Sequence, residues 1–156
     1  MAAPDVAVNQ PARQLITDLE CTQIAPAVAL LSLHDRVTRS SMEALLPSFE
    51  TVLGRMRNPG WIIDATDLRD FEPSAVAVGS NWFRAFKAAG GAKVIFVAGP
   101  SIAHMAAVTI SFAVRIPLET CHTLSEACER LGVTHPPARA LRGAAGISGT
   151  RPKLPR

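Results

Sequence analysis

The side chains best suited to catalysis or binding lie in one run near the middle of the chain, between Trp61 and Phe83. It contains four carboxylates and then a hydroxyl, which are Asp64, Asp67, Asp70, Glu72 and Ser74. Carboxylate oxygens are ligands that suit Mg²⁺. A serine that opens a helix could accept a phosphate or a partner's polar group, because free N–H groups and the positive dipole end meet there. The simpler interpretation is a solvated acidic loop, in which Asp64 hydrogen-bonds the loop backbone and Ser74 caps the helix.

Other constellations that could support catalysis are missing from the sequence. The four histidines are scattered over different predicted elements, with none at a spacing typical of metal ligands: His34, His104, His122 and His135. Gly99-Pro100-Ser101 lacks the phosphate-loop pattern, and there is no Gly-x-Ser-x-Gly elbow. We therefore expect no catalytic residue, no bound metal and no cofactor, and we predict that the protein is not an enzyme.

An aromatic cluster follows Ser74 on the predicted helix. It consists of Trp82, Phe83 and Phe86. Two of the three can face a sheet, and the third, Trp82 or Phe83, could be exposed beside the helix start, where it would be an anchor for a partner. Packing of all three in the core is the plainer alternative. We include Trp82 among the candidate partner-binding residues.

The elements that position these residues alternate between strands and helices. Apolar runs and helical periodicity predict strands near 24–33, 61–64, 93–98 and 118–122, and helices near 38–57, 74–89, 99–112 and 124–131. Residues 34–37 are expected to form a loop, after which Thr38, Ser40 or Ser41 could cap the first helix. Pro47 is expected to kink this helix or delay its start. The alternation predicts an α/β fold with a mostly parallel sheet of about four or five strands, covered by about four helices.

Length and charge indicate one domain with two tails. We predict a flexible arm at 1–13, a domain at 14–133 and a disordered basic tail rich in Pro, Gly and Arg at 134–156. Five of the 16 basic residues follow residue 134, which leaves 11 basic against 13 acidic residues before it. The domain is thus slightly acidic, so we expect no nucleic-acid binding except weakly through the tail.

The remaining composition indicates a cytoplasmic protein. Three cysteines without a CxxC pair favour a reducing compartment. No secretory signal is apparent at the N-terminus. The longest apolar stretch, residues 105–114, is about half of a membrane span, so we expect no membrane insertion. A strand edge at 27–33 or 118–122 could pair in a homodimer.

The order of the elements resembles the STAS domain of anti-sigma-factor antagonists over about residues 22–132. The resemblance rests on Ile62-Ile63-Asp64, on Phe71-Glu72-Pro73-Ser74, on the run from Phe86 to Val97 and on Leu124-Ser125-Glu126-Ala127. Family members usually have a strand that ends in Asp, a small loop, and then Asp-Ser-Ser-Gly at the start of a helix. The resemblance implies a regulatory protein partner, such as a kinase-type anti-sigma factor that phosphorylates a serine at this helix start.

The chain departs from the family at that position. Counted from Asp64 without gaps, the family's acidic residue falls on Glu72, its phosphorylated serine on Pro73 and the next serine on Ser74. Pro73 cannot be phosphorylated. Either Ser74 has become the acceptor, or the protein is not switched in this way.

These observations lead to one main functional hypothesis and two alternatives. The main hypothesis is a non-catalytic protein–protein interaction module that docks through the 64–74 loop and the following helix. Its partner-binding candidates are Asp64, Asp67, Asp70, Glu72, Pro73, Ser74 and Trp82. The first alternative is a phosphorylation-switched anti-sigma-factor antagonist with Ser74 as acceptor. The second is a lipid or small-molecule binding domain, since Sec14-type domains have similar local patterns.

Overall fold

The computed structural model describes residues 19–133, and the predicted arm and basic tail lie outside this range. Five strands and four helices follow one another along the chain: β1 (Leu19–Ala25), β2 (Val28–Val37), α1 (Arg39–Leu53), β3 (Gly60–Phe71), α2 (Ala75–Ala88), β4 (Lys93–Val97), α3 (Ser101–Val114), β5 (Leu118–Cys121) and α4 (Leu124–Arg130). The strands form one sheet in the order β1-β2-β3-β4-β5. Only the β1–β2 pair is antiparallel. The predicted α/β fold with a mostly parallel sheet is confirmed.

Both faces of the sheet are covered, which explains the continuous apolar runs of β3 and β4. Neighbouring residues of β3 point to opposite faces, so that Ile63 lies in the larger core and Ile62 in the smaller one. Helices α1, α2 and α3 close the larger core, with α2 packed against both of the others. Helix α4 contributes Ala127 and Cys128 to the smaller core. None of the described helices is long and apolar enough to cross a bilayer.

The first predicted strand is in fact two strands. The chain turns at Pro26 and Ala27, and β1 and β2 pair as a hairpin closed by Ala25 and Val28. Proline favours such a turn because its φ is fixed and it has no N–H to donate to a ladder. The prediction that residues 27–33 form a free edge is therefore wrong, since β1 covers that side of β2. Strand β5 does lie at the other edge of the described sheet.

The largest difference from the prediction is that two expected loops form strand. Residues 34–37 extend β2, and most of the expected acidic loop extends β3 as far as Phe71. The two extensions pair with each other, His34 with Asp67, Arg36 with Asp70 and Val37 with Phe71. Two register shifts in this pairing let Ala65, Leu68 and Phe71 all be buried at a spacing of three residues. Asp64, Asp67 and Asp70 thus lie on a strand rather than on a loop, and Glu72 directly follows the end of this strand.

Helix α1 begins directly after β2. Thr38 caps it, because its hydroxyl accepts a hydrogen bond from the backbone N–H of Ser41 at 3.1 Å, and the Ser41 hydroxyl accepts one from the Thr38 backbone N–H in return. This reciprocal capping box confirms Thr38 among the predicted caps. The helix continues through Pro47, so the expected delay of its start is wrong.

Candidate functional site

The side chain of Glu72 joins the starts of two helices. Its Oε1 accepts a hydrogen bond from the backbone N–H of Arg39 at 2.9 Å and another from the Ser74 hydroxyl at 2.9 Å. Its Oε2 lies 3.7 Å from the Arg36 guanidinium. Because the first N–H groups of a helix have no partner inside it, the carboxylate satisfies a donor that α1 would otherwise leave to water. We call Arg36, Arg39, Glu72 and Ser74 the Glu72 junction.

The sheet brings Glu72 to this place. The parallel pairing of β2 and β3 continues one residue beyond Phe71, because the Glu72 backbone N–H donates to the carbonyl of Val37 at 2.9 Å. Since α1 begins two residues after Val37, Glu72 comes to lie beside its first turn. The junction is nevertheless accessible, because about a third of the Glu72 side chain and more than half of the Arg36 side chain are exposed.

The surroundings of Glu72 favour its charged form. The hydrogen bond from the Arg39 backbone lowers the pKa of Glu72 most, and the Ser74 hydroxyl lowers it further. The charges of Arg36 and Arg39 act in the same direction, while partial desolvation opposes them. The junction therefore holds a carboxylate that stays ionised at neutral pH. A lowered carboxyl pKa adds stability above the ordinary value, and this stability is lost as the pH falls through the lowered value.

Removal of the Ser74 hydroxyl is expected to raise the pKa of Glu72 toward its ordinary value, because one of the two hydrogen bonds that favour the carboxylate is lost. The measurement is an NMR pH titration of the Glu72 side-chain carboxyl in wild type and in Ser74→Ala. Glu119 is the internal control, since Lys93 and Arg130 lower its pKa and Ser74 does not contribute. The same Glu72 pKa in both proteins would show that the hydroxyl does not bind the carboxylate in solution.

Ser74 does not cap α2 as expected. It occupies the N-cap position with helical angles, φ −67° and ψ −14°, and its side chain makes no capping hydrogen bond. The first donors of α2 are taken by backbone carbonyls instead, with the N–H of Ala75 bonded to Glu72 and that of Val76 to Pro73. The capping prediction is therefore wrong, and the exposed hydroxyl is engaged by Glu72 alone among the described contacts.

The other carboxylates lie along β3, and each contacts a different side chain. Asp64 accepts hydrogen bonds from the backbone and the hydroxyl of Thr66 at 3.1 and 2.6 Å, which confirms its predicted local role. Asp67 lies 3.8 Å from the His34 ring, and Asp70 lies 3.4 Å from the Arg36 guanidinium. Within residues 19–133, no group of three or more His, Cys, Asp or Glu side chains is arranged to hold a metal ion.

Trp82 is not a surface anchor. Its side chain is completely buried, and its indole N–H donates to the carbonyl of Met42 on α1 at 3.2 Å. The ring stacks on Phe49 of α1 with centroids 4.5 Å apart. Phe83 and Phe86 are buried as well, because α2 is covered by the sheet on one side and by its neighbouring helices on others. Trp82 is therefore withdrawn from the partner-binding candidates, and the core alternative is confirmed.

The structure adds basic residues that the sequence analysis missed. His34 and Arg36 lie across from the acidic residues of β3, and Asp35 lies 3.9 Å from Arg69. A signal for this arrangement exists in the sequence, because the basic residues His34 and Arg36 meet the acidic residues Asp67 and Asp70 when the two segments are aligned in parallel and one residue of the second is skipped. Arg39 has no such signal, since its backbone rather than its side chain reaches Glu72.

Comparisons with known proteins rest on structure. No protein-family model matches the chain, and no curated protein does. The structure is similar to that of the anti-sigma factor antagonist SpoIIAA in its unphosphorylated form, with 15% identity, a TM-score of 0.56, and coverage of 73% of this chain and 97% of that one. SpoIIAA from Bacillus in the phosphorylated form gives 16% identity, a TM-score of 0.56, and coverage of 72% and 98%.

Two further structures are similar at the same level. An uncharacterized Shewanella loihica protein with a SpoIIAA-like fold shares 12% identity at a TM-score of 0.56, with coverage of 72% of this chain and 91% of that one. An anti-sigma factor antagonist from Mycobacterium paratuberculosis shares 14% identity at a TM-score of 0.50, with coverage of 75% and 93%. The described domain therefore has the SpoIIAA-like fold, which is the STAS-like fold expected from the sequence.

Proposed function

We propose that this protein is a non-catalytic protein–protein interaction module of a bacterial-type regulatory system. It docks through the exposed polar side chains of the segment Asp64–Ser74 and the start of α2. The observation that carries the proposal is the Glu72 junction, where one ionised carboxylate and one exposed hydroxyl lie at the starts of two helices. The similarity of the fold to anti-sigma factor antagonists supports it.

The carboxylates of this segment can exchange the basic side chains beside them for those of a partner protein. The side chains of Asp67 and Asp70 are 67% and 59% exposed, and each lies beside one basic side chain, Asp67 at 3.8 Å from His34 and Asp70 at 3.4 Å from Arg36. Exposed ion pairs contribute about 0–1 kcal/mol, so a partner's Lys or Arg can replace His34 or Arg36 at little cost. Their backbone is nevertheless fixed in the sheet, which keeps the carboxylates in a defined arrangement. We infer that the partner presents basic groups to β3.

Reversal of these charges is expected to remove the partner. The test is affinity capture from the native cell with wild type and with the double variant Asp67→Lys and Asp70→Lys. We expect one protein to be captured by wild type and to be reduced at least about tenfold by the double variant, because two attractive contacts become repulsive.

The matched control carries the same charge change on two helices instead of on β3. Glu50 on α1 and Glu129 on α4 are both exposed, and the variant Glu50→Lys with Glu129→Lys should capture the same protein as wild type. Equal capture by wild type and by the β3 variant would refute docking through this segment.

A phosphorylation switch at Ser74 is the second candidate function. The observation that favours it is that the Ser74 hydroxyl is exposed, caps no helix and lies 2.9 Å from the Glu72 carboxylate. A phosphate on this oxygen would replace a hydrogen-bond donor by a dianion beside a carboxylate, which repels it. Arg36 and Arg39 lie near enough to Glu72 to compete for that phosphate. One of the proteins with a similar fold, SpoIIAA, has been solved in a phosphorylated form.

Intact-mass measurement tests this second function. Protein purified from the native cell, and protein incubated with native extract and ATP, should gain the mass of one phosphate. Ser74→Ala should gain none. Wild type that stays unmodified under both conditions, or Ser74→Ala that is modified equally, would exclude Ser74 as the acceptor.

The larger core gives no support to the lipid-carrier alternative. An apolar cavity lies between the sheet and the three helices of the larger core, but its volume is only about 40 Å³. Pockets for drug-sized ligands measure roughly 300–1,000 Å³. A lipid chain would require the core to open.

A further inference from the structure

Helix α3 presents an apolar face to solvent. Four large apolar side chains recur on it at steps of three, three and four residues, with exposures of 47% for Ile102, 66% for Met105, 42% for Val108 and 86% for Phe112. The opposite side of the same helix packs into the core through Ala103, Ala107 and Ile110. A helix that is apolar on all sides is usually enclosed by protein or lipid. The described residues leave this face of α3 uncovered.

Neither α3 nor the neighbouring helix α2 carries a carboxylate. No Asp or Glu occurs between Glu72 and Glu119, a stretch that includes α2 and α3. Three cations lie toward the C-terminal end of the face. The Lys87 ammonium donates to the carbonyl of Val114 at 2.7 Å, Arg84 precedes it by one turn of α2, and Arg115 follows α3 directly. The face is therefore apolar with a basic border.

We propose that α3 docks this protein onto an anionic lipid surface. In this arrangement Met105 and Phe112 enter the boundary between headgroups and acyl chains, while Arg84, Lys87 and Arg115 contact the headgroup phosphates. At 14 residues, α3 is about 21 Å long, too short for a bilayer core of about 30 Å. The helix would thus lie in the interface without crossing it.

Two other occupants fit the face less well. A second copy of the chain would bring the same cations and, on α2 and α3, no carboxylate to pair with them. A helix from another protein is usually received in a groove, whereas here a single helix projects its side chains outward, and Phe112 is almost fully exposed. A fluid lipid surface adapts to such a convex shape and supplies negative charge.

The proposed lipid contact leaves the Glu72 junction free. Ser74 opens α2, and Lys87 lies in its last turn, so the two are separated by the length of this helix, about 21 Å. Helix α2 packs between α1 and α3, so a domain seated on lipid through the outer face of α3 would keep the α1 side of the junction away from the surface. The lipid contact therefore does not depend on the proposed protein partner.

Co-sedimentation of the full chain with vesicles tests the proposal. We expect wild type to bind phosphatidylcholine vesicles that contain phosphatidylglycerol at least about tenfold more strongly than pure phosphatidylcholine vesicles. The variant Met105→Ser with Phe112→Ser should lose at least about tenfold in affinity for the anionic vesicles, because both side chains leave the interface. Arg115→Glu should lose about fivefold or more.

The control is Arg69→Glu, which makes the same charge change near the Glu72 end of the sheet and should bind as wild type does. Four results would each overturn the proposal. They are no binding of wild type to anionic vesicles, equal binding to both vesicle types, and unchanged binding of the Met105 and Phe112 variant, which would assign lipid binding to another part of the chain. The fourth is a wild-type dimer in sedimentation velocity that this variant dissociates, which would assign the face to a second copy.

Discussion

Replacement of Trp82 by alanine is expected to destabilise the domain by about 3–5 kcal/mol. The ring is fully buried between α1 and the sheet, stacked on Phe49 at 4.5 Å and on Trp61 at 6.2 Å between centroids. Its removal leaves a cavity in the larger core and abolishes the hydrogen bond from the indole to the carbonyl of Met42. The free energy of unfolding of small domains is about 5–15 kcal/mol, so this loss is a large fraction of the total stability. Chemical denaturation followed by circular dichroism measures it.

The conservative variant Trp82→Phe separates packing from hydrogen bonding. It keeps an aromatic ring but loses the indole N–H, so its cost should be clearly smaller than that of alanine. If Trp82→Ala unfolded at the same denaturant concentration as wild type, the result would contradict the burial of Trp82 in the aromatic core. Because Trp82 is buried, loss of a protein partner in Trp82→Ala would indicate unfolding rather than the removal of a docking contact.

Replacement of Gly99 by alanine is expected to cost about 2–4 kcal/mol, the second-largest effect. Gly99 joins β4 to α3 with φ +100°, a backbone conformation that L residues rarely adopt. A Cβ at this position would lie 2.6 Å from the Cβ of Ala65 and 3.2 Å from its carbonyl oxygen. Both the strained backbone and the collision oppose the folded state. The free energy of unfolding measures their sum.

Gly132 provides a matched control for the backbone contribution. It also has positive φ, +74°, but a Cβ there would have no neighbour within 4 Å. Gly132→Ala should therefore cost only about 1 kcal/mol. Equal costs at the two positions would mean that Gly99 does not approach Ala65 closely.

The elements with continuous apolar runs could be predicted from the sequence. Strands β3 and β4 were expected at 61–64 and 93–98, and the structure contains both. Their parallel arrangement follows from the helices between them. The cap at Thr38 and the local role of Asp64 were also predicted, because both depend on residues within three positions of each other.

The extension of β3 could not be read from its own residues. The segment 65–71 is polar, and it forms strand only because the equally polar end of β2, about 30 residues earlier, pairs with it. Such pairing depends on contacts that periodicity within one segment does not encode. The same extension places Glu72 at the start of α1, so the junction depends on it.

The exposure of residues on the helices could not be predicted from the sequence either. Trp82 was a surface candidate because two faces of its helix are apolar, yet α1 covers the second face. Helix α3 is just as apolar, but α2 is its one substantial helix neighbour in the described layer, and Phe112 stays exposed. The packing of the three helices on the sheet determines which helix is central and which is outermost. The sequence of a single helix does not.

The most direct test of the proposed docking site is the dissociation constant of the captured partner, measured by titration calorimetry with purified proteins. We expect the variant Asp67→Lys with Asp70→Lys to weaken binding at least about tenfold, and Glu50→Lys with Glu129→Lys to bind as wild type does. Equal dissociation constants for wild type and the β3 variant, with both proteins folded, would contradict docking through the carboxylates of β3.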